Sequence, residues 1–126
     1  MATKTIIKPA NSPAPVGPYN HAVRVGELLF CSGQIPLKSD GTLVTGDIRA
    51  QTEQVLENVK AILSDQKIGF ENVVKTTVFL TSLGDFAAMN EVYARYFTAN
   101  PPARSTIQVA ALPRGAIVEI EVIAHY

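Results

Sequence analysis

The sequence predicts an α+β domain, a mixed sheet of about six strands with two helices packed on one face. Three observations carry this reading. Two segments, near residues 48–65 and 83–97, repeat apolar side chains at helical spacing. Several others alternate, or run apolar, at strand length and are rich in β-branched residues. The order is several strands, helix, strand, helix, two strands, and two amphipathic helices can cover only one side of such a sheet.

Residues 3–8 suit a short edge strand. From Asn11 to Pro18 the prolines 13, 15 and 18 stiffen a loop too short to be a domain linker. Tyr19–Val25 and Glu27–Gly33 read as two strands joined near Gly26. Asp40-Gly41 is the strongest turn signal in the chain. The first helix is expected from Ile48 to Asp65: Ile48, Thr52, Val55, Val59 and Ile62 share one face, and Asp47 can cap the free N–H groups at its start. After Gly69, Val73–Leu80 is apolar enough for a central strand. The second helix is expected from Leu83 to Phe97, with Phe86, Met89, Tyr93 and Tyr96 or Phe97 as its packing stripe. Asn100-Pro101-Pro102 stops it. Strands over Ala103–Ala111 and Ile117–Ala124 complete the set, with Arg114-Gly115 in the turn between them. As a direct hairpin they would pair Arg104 near Ala124 and Glu119 near Val109, roughly 17 Å apart by strand rise.

The whole chain, 1–126, reads as one domain. Charged residues make up 17%, against about 25% in ordinary soluble domains, so a second subunit is expected to cover some of the surface. Eleven basic residues balance eleven acidic ones, and no basic block stands out. Nucleic-acid binding is disfavoured, because phosphate contacts need clustered Lys and Arg. Cys31 is the only cysteine, so no intrachain disulfide forms, and it lies in an apolar run as a packing residue. No long apolar run precedes Pro9, so no secretory signal is expected, and no segment has the about 20 apolar residues of a membrane span. The expected compartment is the reducing cytoplasm.

Two charges stand out, Arg104 and Glu119, each on a strand otherwise built for burial. They admit two readings: a structural ion pair closing the sheet, or a grip for a small carboxylic acid that must meet water. Alternation puts Arg104, Thr106 and Gln108 on one side of their strand, and Glu119 and Glu121 with Ile117 and Ile123 on one side of theirs. Both sets mix polar and apolar residues. Such a face suits a subunit interface that contains polar pockets.

Pro102-Ala103-Arg104-Ser105, with Leu112 and Val118-Glu119-Ile120, resembles the signature of the reactive-intermediate/imine deaminases, the RidA/YjgF/UK114 family. Gly17-Pro18-Tyr19, Ser32-Gly33-Gln34-Ile35 and Asn90-x-x-Tyr93-x-x-Phe97 match further family patterns, so the resemblance spans essentially the whole chain. It implies a chorismate-mutase-like fold and a homotrimer with clefts between subunits. It also implies hydrolysis of 2-iminobutanoate and 2-iminopropanoate to 2-oxo acids and ammonia, without metal or cofactor. These imines, exchanging with enamines, leave pyridoxal-phosphate-dependent dehydratases acting on threonine and serine, and a functional coupling to such a dehydratase is implied.

The resemblance also assigns roles. Arg104 is the carboxylate-binding arginine, whose fork holds two oxygens where a lysine holds one. Glu119 positions or activates water, and Glu121 is its competitor on the same face. Tyr19 lines the pocket, its hydroxyl available to carboxylate or water, and Gly33 allows close approach of the ligand. Asn90 lines the pocket or the interface. Thr106 stands where many bacterial relatives carry cysteine, which rules out a covalent thiol there and leaves its backbone carbonyl to orient water. Asn20 and His21 replace a common Ser-Gln pair, and His21 is read either as a tuner of substrate range or as a hydrogen-bonded surface group. Two other functions compete with the deaminase: a non-catalytic 2-oxo-acid-binding regulatory protein and an endoribonuclease.

Overall fold

A computed structural model describes residues 3–10 and 12–126. The helix that the apolar period predicts is α1 (Ile48–Asp65), and Asp47 caps it: Oδ1 accepts the Ala50 N–H at 2.9 Å. Its predicted stripe is buried, joined by Leu56 and Leu63. The second helical segment opens with a single 3-10 turn at Leu83–Asp85 and continues as α2 (Phe86–Tyr96). Phe86 does not pack as expected. It is 40% exposed, and Val92 takes the buried place beside Met89 and Tyr93.

The strands are β1 (Thr5–Ile7), β2 (Ala22–Val25), β3 (Leu28–Gln34), β4 (Val73–Leu80), β5 (Ala103–Gln108) and β6 (Val118–His125). They form one sheet in the order β1-β2-β3-β6-β4-β5. β1 is the predicted edge strand, and β2 and β3 pair antiparallel across Gly26, which takes φ 57°. The stiff loop that precedes β2 is described from Ser12 onward; Asn11 lies outside the described residues.

The last two strands are not a hairpin. β4 lies between them, parallel to β5 and antiparallel to β6. The physical reason is the connection through α2: a crossover helix returns the chain in the same direction and makes β5 a parallel neighbour of β4. β6 then fills the slot between β3 and β4, where an alternating strand can be paired on both sides.

Both helices cover one face of the sheet. Under them lie Leu29 and Cys31 of β3, Thr76 and Val78 of β4, and Val118 and Ile120 of β6, all buried. The other face carries Phe30, Lys75, Phe79, Ile107, Glu119 and Glu121, partly or largely exposed. Side chains α1 shares with the connections lock the loops: Asn58 Nδ2 donates to the Ile35 and Leu37 carbonyls at 3.1 and 2.8 Å, and Gln51 Oε1 accepts the Ile117 N–H at 3.0 Å. No helix among the described residues is long and apolar enough to cross a membrane.

Candidate active site

Register decides where the two charges go. Arg104 pairs with Thr76, and Thr76 with Val122, so Arg104 shares the helix-covered face with two buried residues. Glu119 pairs with Phe79, and Phe79 with Ile107, on the open face. The expectation that both residues line one open face fails on the side of Arg104. β5 is parallel to β4, and that register turns Arg104, Thr106 and Gln108 toward α2.

Arg104 sits at the sheet margin under α2. Its Nη1 donates to Asn90 Oδ1 at 2.8 Å. Its guanidinium carbon lies 4.7 Å from the Tyr93 ring centroid and 5.5 Å from that of Phe86. Tyr93 is itself held by a 2.7 Å hydrogen bond between its hydroxyl and Thr76 Oγ1. Burial pushes the Tyr93 phenol up, while the Thr76 bond and the Arg104 charge act the other way, so it stays a neutral hydrogen-bonding group. A groove of ≈ 300 Å³, lined by Asn90, Tyr93, Phe97, Pro102 and Arg104 among others, opens beside the guanidinium. The ion pairs among the described residues are Arg24–Glu27 and Arg49–Glu91. Arg104 is in neither. A partly buried cation held by a neutral amide and aromatic faces can take an anion from outside. Thr106 lies on the same face two residues on, and its Oγ1 is buried with no hydrogen-bond partner.

Glu119 forms the second half. The β3–β6 pairing shifts register between Cys31 and Gln34, and this irregularity brings Gly33 against the carboxylate. A Cβ on Gly33 would stand 2.8 Å from Glu119 Cδ. The missing side chain therefore makes room for Glu119, where the sequence suggested room for ligand. Burial raises the Glu119 carboxyl above its ordinary value, and the Glu121 charge raises it further. Glu121 is exposed, pairs with Thr77, and borders a separate hollow with Phe30 and Lys75. Tyr19 is 43% exposed in the proline loop, its phenol oxygen accepting the Val16 N–H at 3.3 Å. A small cavity lined by Tyr19, His21, Gly33 and Gln34 joins it to Gly33.

The structure thus gathers the six predicted residues into two groups. Arg104, Asn90 and Thr106 lie on the helix side; Glu119, Gly33 and Tyr19 belong to the opposite rim. Arg104 and Glu119 stand three residues apart along the strands and two strands apart across them, roughly 14 Å, with side chains on opposite faces. This replaces the hairpin distance, and its cause is the interposed β4. Sequence reasoning also underused Tyr93 and Phe86. Both were read as packing, although Asn90 lies three residues before Tyr93 and four after Phe86, a spacing that puts all three on one helix face.

Residues 9–126 match the family model described as Endoribonuclease L-PSP. The chain belongs to the RidA/YjgF/UK114 family. Within this RidA/YjgF family it is 54% identical over 127 residues to Protein DfrA of Myxococcus xanthus, covering 98% of this chain and 96% of DfrA. It is 46% identical over 122 residues to the 2-iminobutanoate/2-iminopropanoate deaminase of Mus musculus, covering 96% of this chain and 90% of that protein. The crystal structure of E. coli TdcF with bound serine superposes with a TM-score of 0.91 at 41% identity, over 97% of this chain and 98% of the other. The chain therefore has the RidA/YjgF fold over its length.

Proposed function

We propose that this RidA/YjgF protein hydrolyses reactive 2-imino acids, 2-iminobutanoate and 2-iminopropanoate, to 2-oxo acids and ammonia. The observation that carries the reading is the Arg104 guanidinium, in no ion pair among the described residues and braced by Asn90 and Tyr93 beside an open groove. It is supported by the close relative named for this activity.

The chemistry asks little of the protein. Arg104 takes the substrate carboxylate with two parallel N–H donors, while Asn90 keeps the fork in place. The protonated imine carbon is already electrophilic. Glu119 orients a water and accepts its proton as the oxygen attacks that carbon. The proton passes to nitrogen, the C–N bond breaks as the hydroxyl gives its remaining proton back to the Glu119 carboxylate, and ammonia leaves with the 2-oxo acid behind. A carboxyl raised by burial is the stronger base for this step. The Tyr19 hydroxyl and the Thr106 backbone carbonyl complete the hydrogen-bonding shell of carboxylate and water. Gly33 leaves the carboxylate of Glu119 room to point at the substrate.

Arg104 and Glu119 face opposite ways in one chain, so the working site joins Arg104, Asn90 and Thr106 of one copy to Glu119, Gly33 and Tyr19 of another. The open sheet face, with Phe30 42% and Ile107 45% exposed, supplies the surface for a homotrimer with its sites between subunits. The supply of substrate comes from a pyridoxal-phosphate-dependent threonine or serine dehydratase in the cytoplasm, a compartment that suits a lone thiol. The matched family description names an endoribonuclease, but zero formal charge and scattered cations fit a small anion better than a phosphate backbone. The test couples the protein to a threonine dehydratase and traps surviving imine with semicarbazide. The expected result is less semicarbazone and faster 2-oxobutanoate formation. No change in either would refute the proposal.

A further inference from the structure

The loop that carries Tyr19 is closed by a buried side chain at the foot of β2. His21 is 9% exposed, and its Nε2 donates to the carbonyl of Pro13, eight residues back. A carbonyl can only accept, so Nε2 carries a proton in this bond, and Nδ1 is buried without a hydrogen-bond partner. The root of this tether is rigid. Ser32 N–H donates to the His21 carbonyl at 2.9 Å, and Ser32 Oγ donates to the Asn20 carbonyl at 2.5 Å. Ser32 is the residue next to Gly33, so the anchor lies on the strand that meets Glu119.

The bond closes residues 13–21 into a loop with Tyr19 near its base. Inside it, Tyr19 N–H donates to the Gly17 carbonyl at 2.9 Å and the Val16 N–H reaches back to the Tyr19 phenol at 3.3 Å. The prolines in this loop remove backbone donors that could otherwise hold it. Among the described residues, the buried side-chain hydrogen bond within this loop is the one from His21, at the foot of β2, to the Pro13 carbonyl.

We infer that His21 is a positioning residue for the imine hydrolysis proposed above: its imidazole pins the Pro13 carbonyl and thereby holds Tyr19 over Gly33 at the Glu119 half of the site. The inference rests on the deaminase reading for its kinetic consequence, not for the tether itself. An amide at this position can donate the same bond, whereas an isosteric apolar group cannot.

The experiment compares His21→Gln, His21→Leu, Tyr19→Ala and the Tyr19→Ala/His21→Leu double variant by kcat and KM for 2-iminobutanoate, and by hydrogen exchange at the Val16 amide. His21→Leu is expected to lower kcat/KM about tenfold and to speed Val16 exchange, while His21→Gln stays within about threefold of the parent on both. In the Tyr19→Ala background the His21→Leu loss should shrink below about twofold, because there is no phenol left to place. An equal loss in both backgrounds, or parental behaviour of His21→Leu, would overturn the assignment. A parent protein without imine turnover would refute the deaminase reading alone. The Val16 exchange then still decides the tether, and unchanged exchange in His21→Leu overturns it.

Discussion

Replacing Gly33 by alanine should disable the water-handling carboxylate while leaving the fold intact. The new Cβ would lie 2.8 Å from Glu119 Cδ, 2.9 Å from Oε2 and 3.0 Å from Cγ. Carbon contacts settle near 3.5–4.0 Å, so something must yield by roughly 0.5–1.2 Å. Gly33 is not among the residues with positive φ, so alanine brings no backbone strain of that kind. The atoms in the way belong to the far end of a partly exposed side chain, and the Glu119 carboxylate moves rather than the strand. A displacement of about 1 Å at a group that must address one water costs up to about 10²-fold in rate. Stability should change by less than about 1 kcal/mol, since alanine also restricts the unfolded chain. The assay is kcat for 2-iminobutanoate beside thermal melting and calorimetric binding of 2-oxobutanoate. Parental kcat in a folded Gly33→Ala variant would refute the placement of Glu119. A collapse of the melting temperature would mean that the strand, and not the side chain, gives way.

Three further expectations rest on the same geometry. Arg104→Lys keeps the charge but loses the fork, and should lower kcat/KM by roughly 10- to 100-fold with an unchanged melting temperature; near-parental turnover would remove Arg104 from the carboxylate role. Glu119→Gln should slow turnover while keeping 2-oxo-acid binding. Glu119 must be ionised to work as a base, so activity falls on its acid side, and Glu121→Gln, which removes one cause of the raised carboxyl, should move that limb to lower pH. The stability sign follows from the same direction. The folded carboxyl holds its proton longer than the unfolded one, so the contribution of Glu119 to stability is lost as pH rises from the ordinary to the raised value. Glu119→Gln should abolish that dependence, and an unaltered pH–stability curve would contradict it. Cys31 is buried and its thiol is pushed up to about 12, so it is not a nucleophile at neutral pH. Cys31→Ser should keep its turnover and lose about 1–3 kcal/mol of stability through an unsatisfied hydroxyl, as a denaturation curve would measure.

Local features were legible and long-range ones were not. α1 could be read to its termini because Asp47 caps it and its buried face repeats without interruption. The Val73–Leu80 strand was legible because β-branched residues fill both of its faces. The neighbour of β5 was not. Arg114-Gly115 does form a tight turn, with both residues at positive φ, but that turn ends a longer connection and does not join paired strands. Parallel pairing with β4 depends on where α2 lays the chain down, which no window of sequence records. For the same reason the face of Arg104 was misjudged, whereas that of Glu119 was read correctly from the alternation of β6. The contact between Gly33 and Glu119 was not legible, because it spans two strands and a register shift. Phe86 shows how a helical stripe overreaches: an apolar residue at the right period sits at the helix start, near the cation it flanks and outside the core.

The central claim is that one working site needs Arg104 of one copy and Glu119 of another, and complementation tests it most directly. Arg104→Ala and Glu119→Gln proteins are prepared separately, each expected to be nearly inactive, then unfolded together, refolded in equal amounts and assayed for 2-iminobutanoate hydrolysis. Mass spectrometry of the intact oligomers establishes that chains have mixed. With the site shared between copies, random mixing gives about a quarter of the interfaces one intact Arg104 and one intact Glu119, and activity should rise toward that share of the parental value. Mixed oligomers that stay as inactive as either parent variant would contradict the shared site.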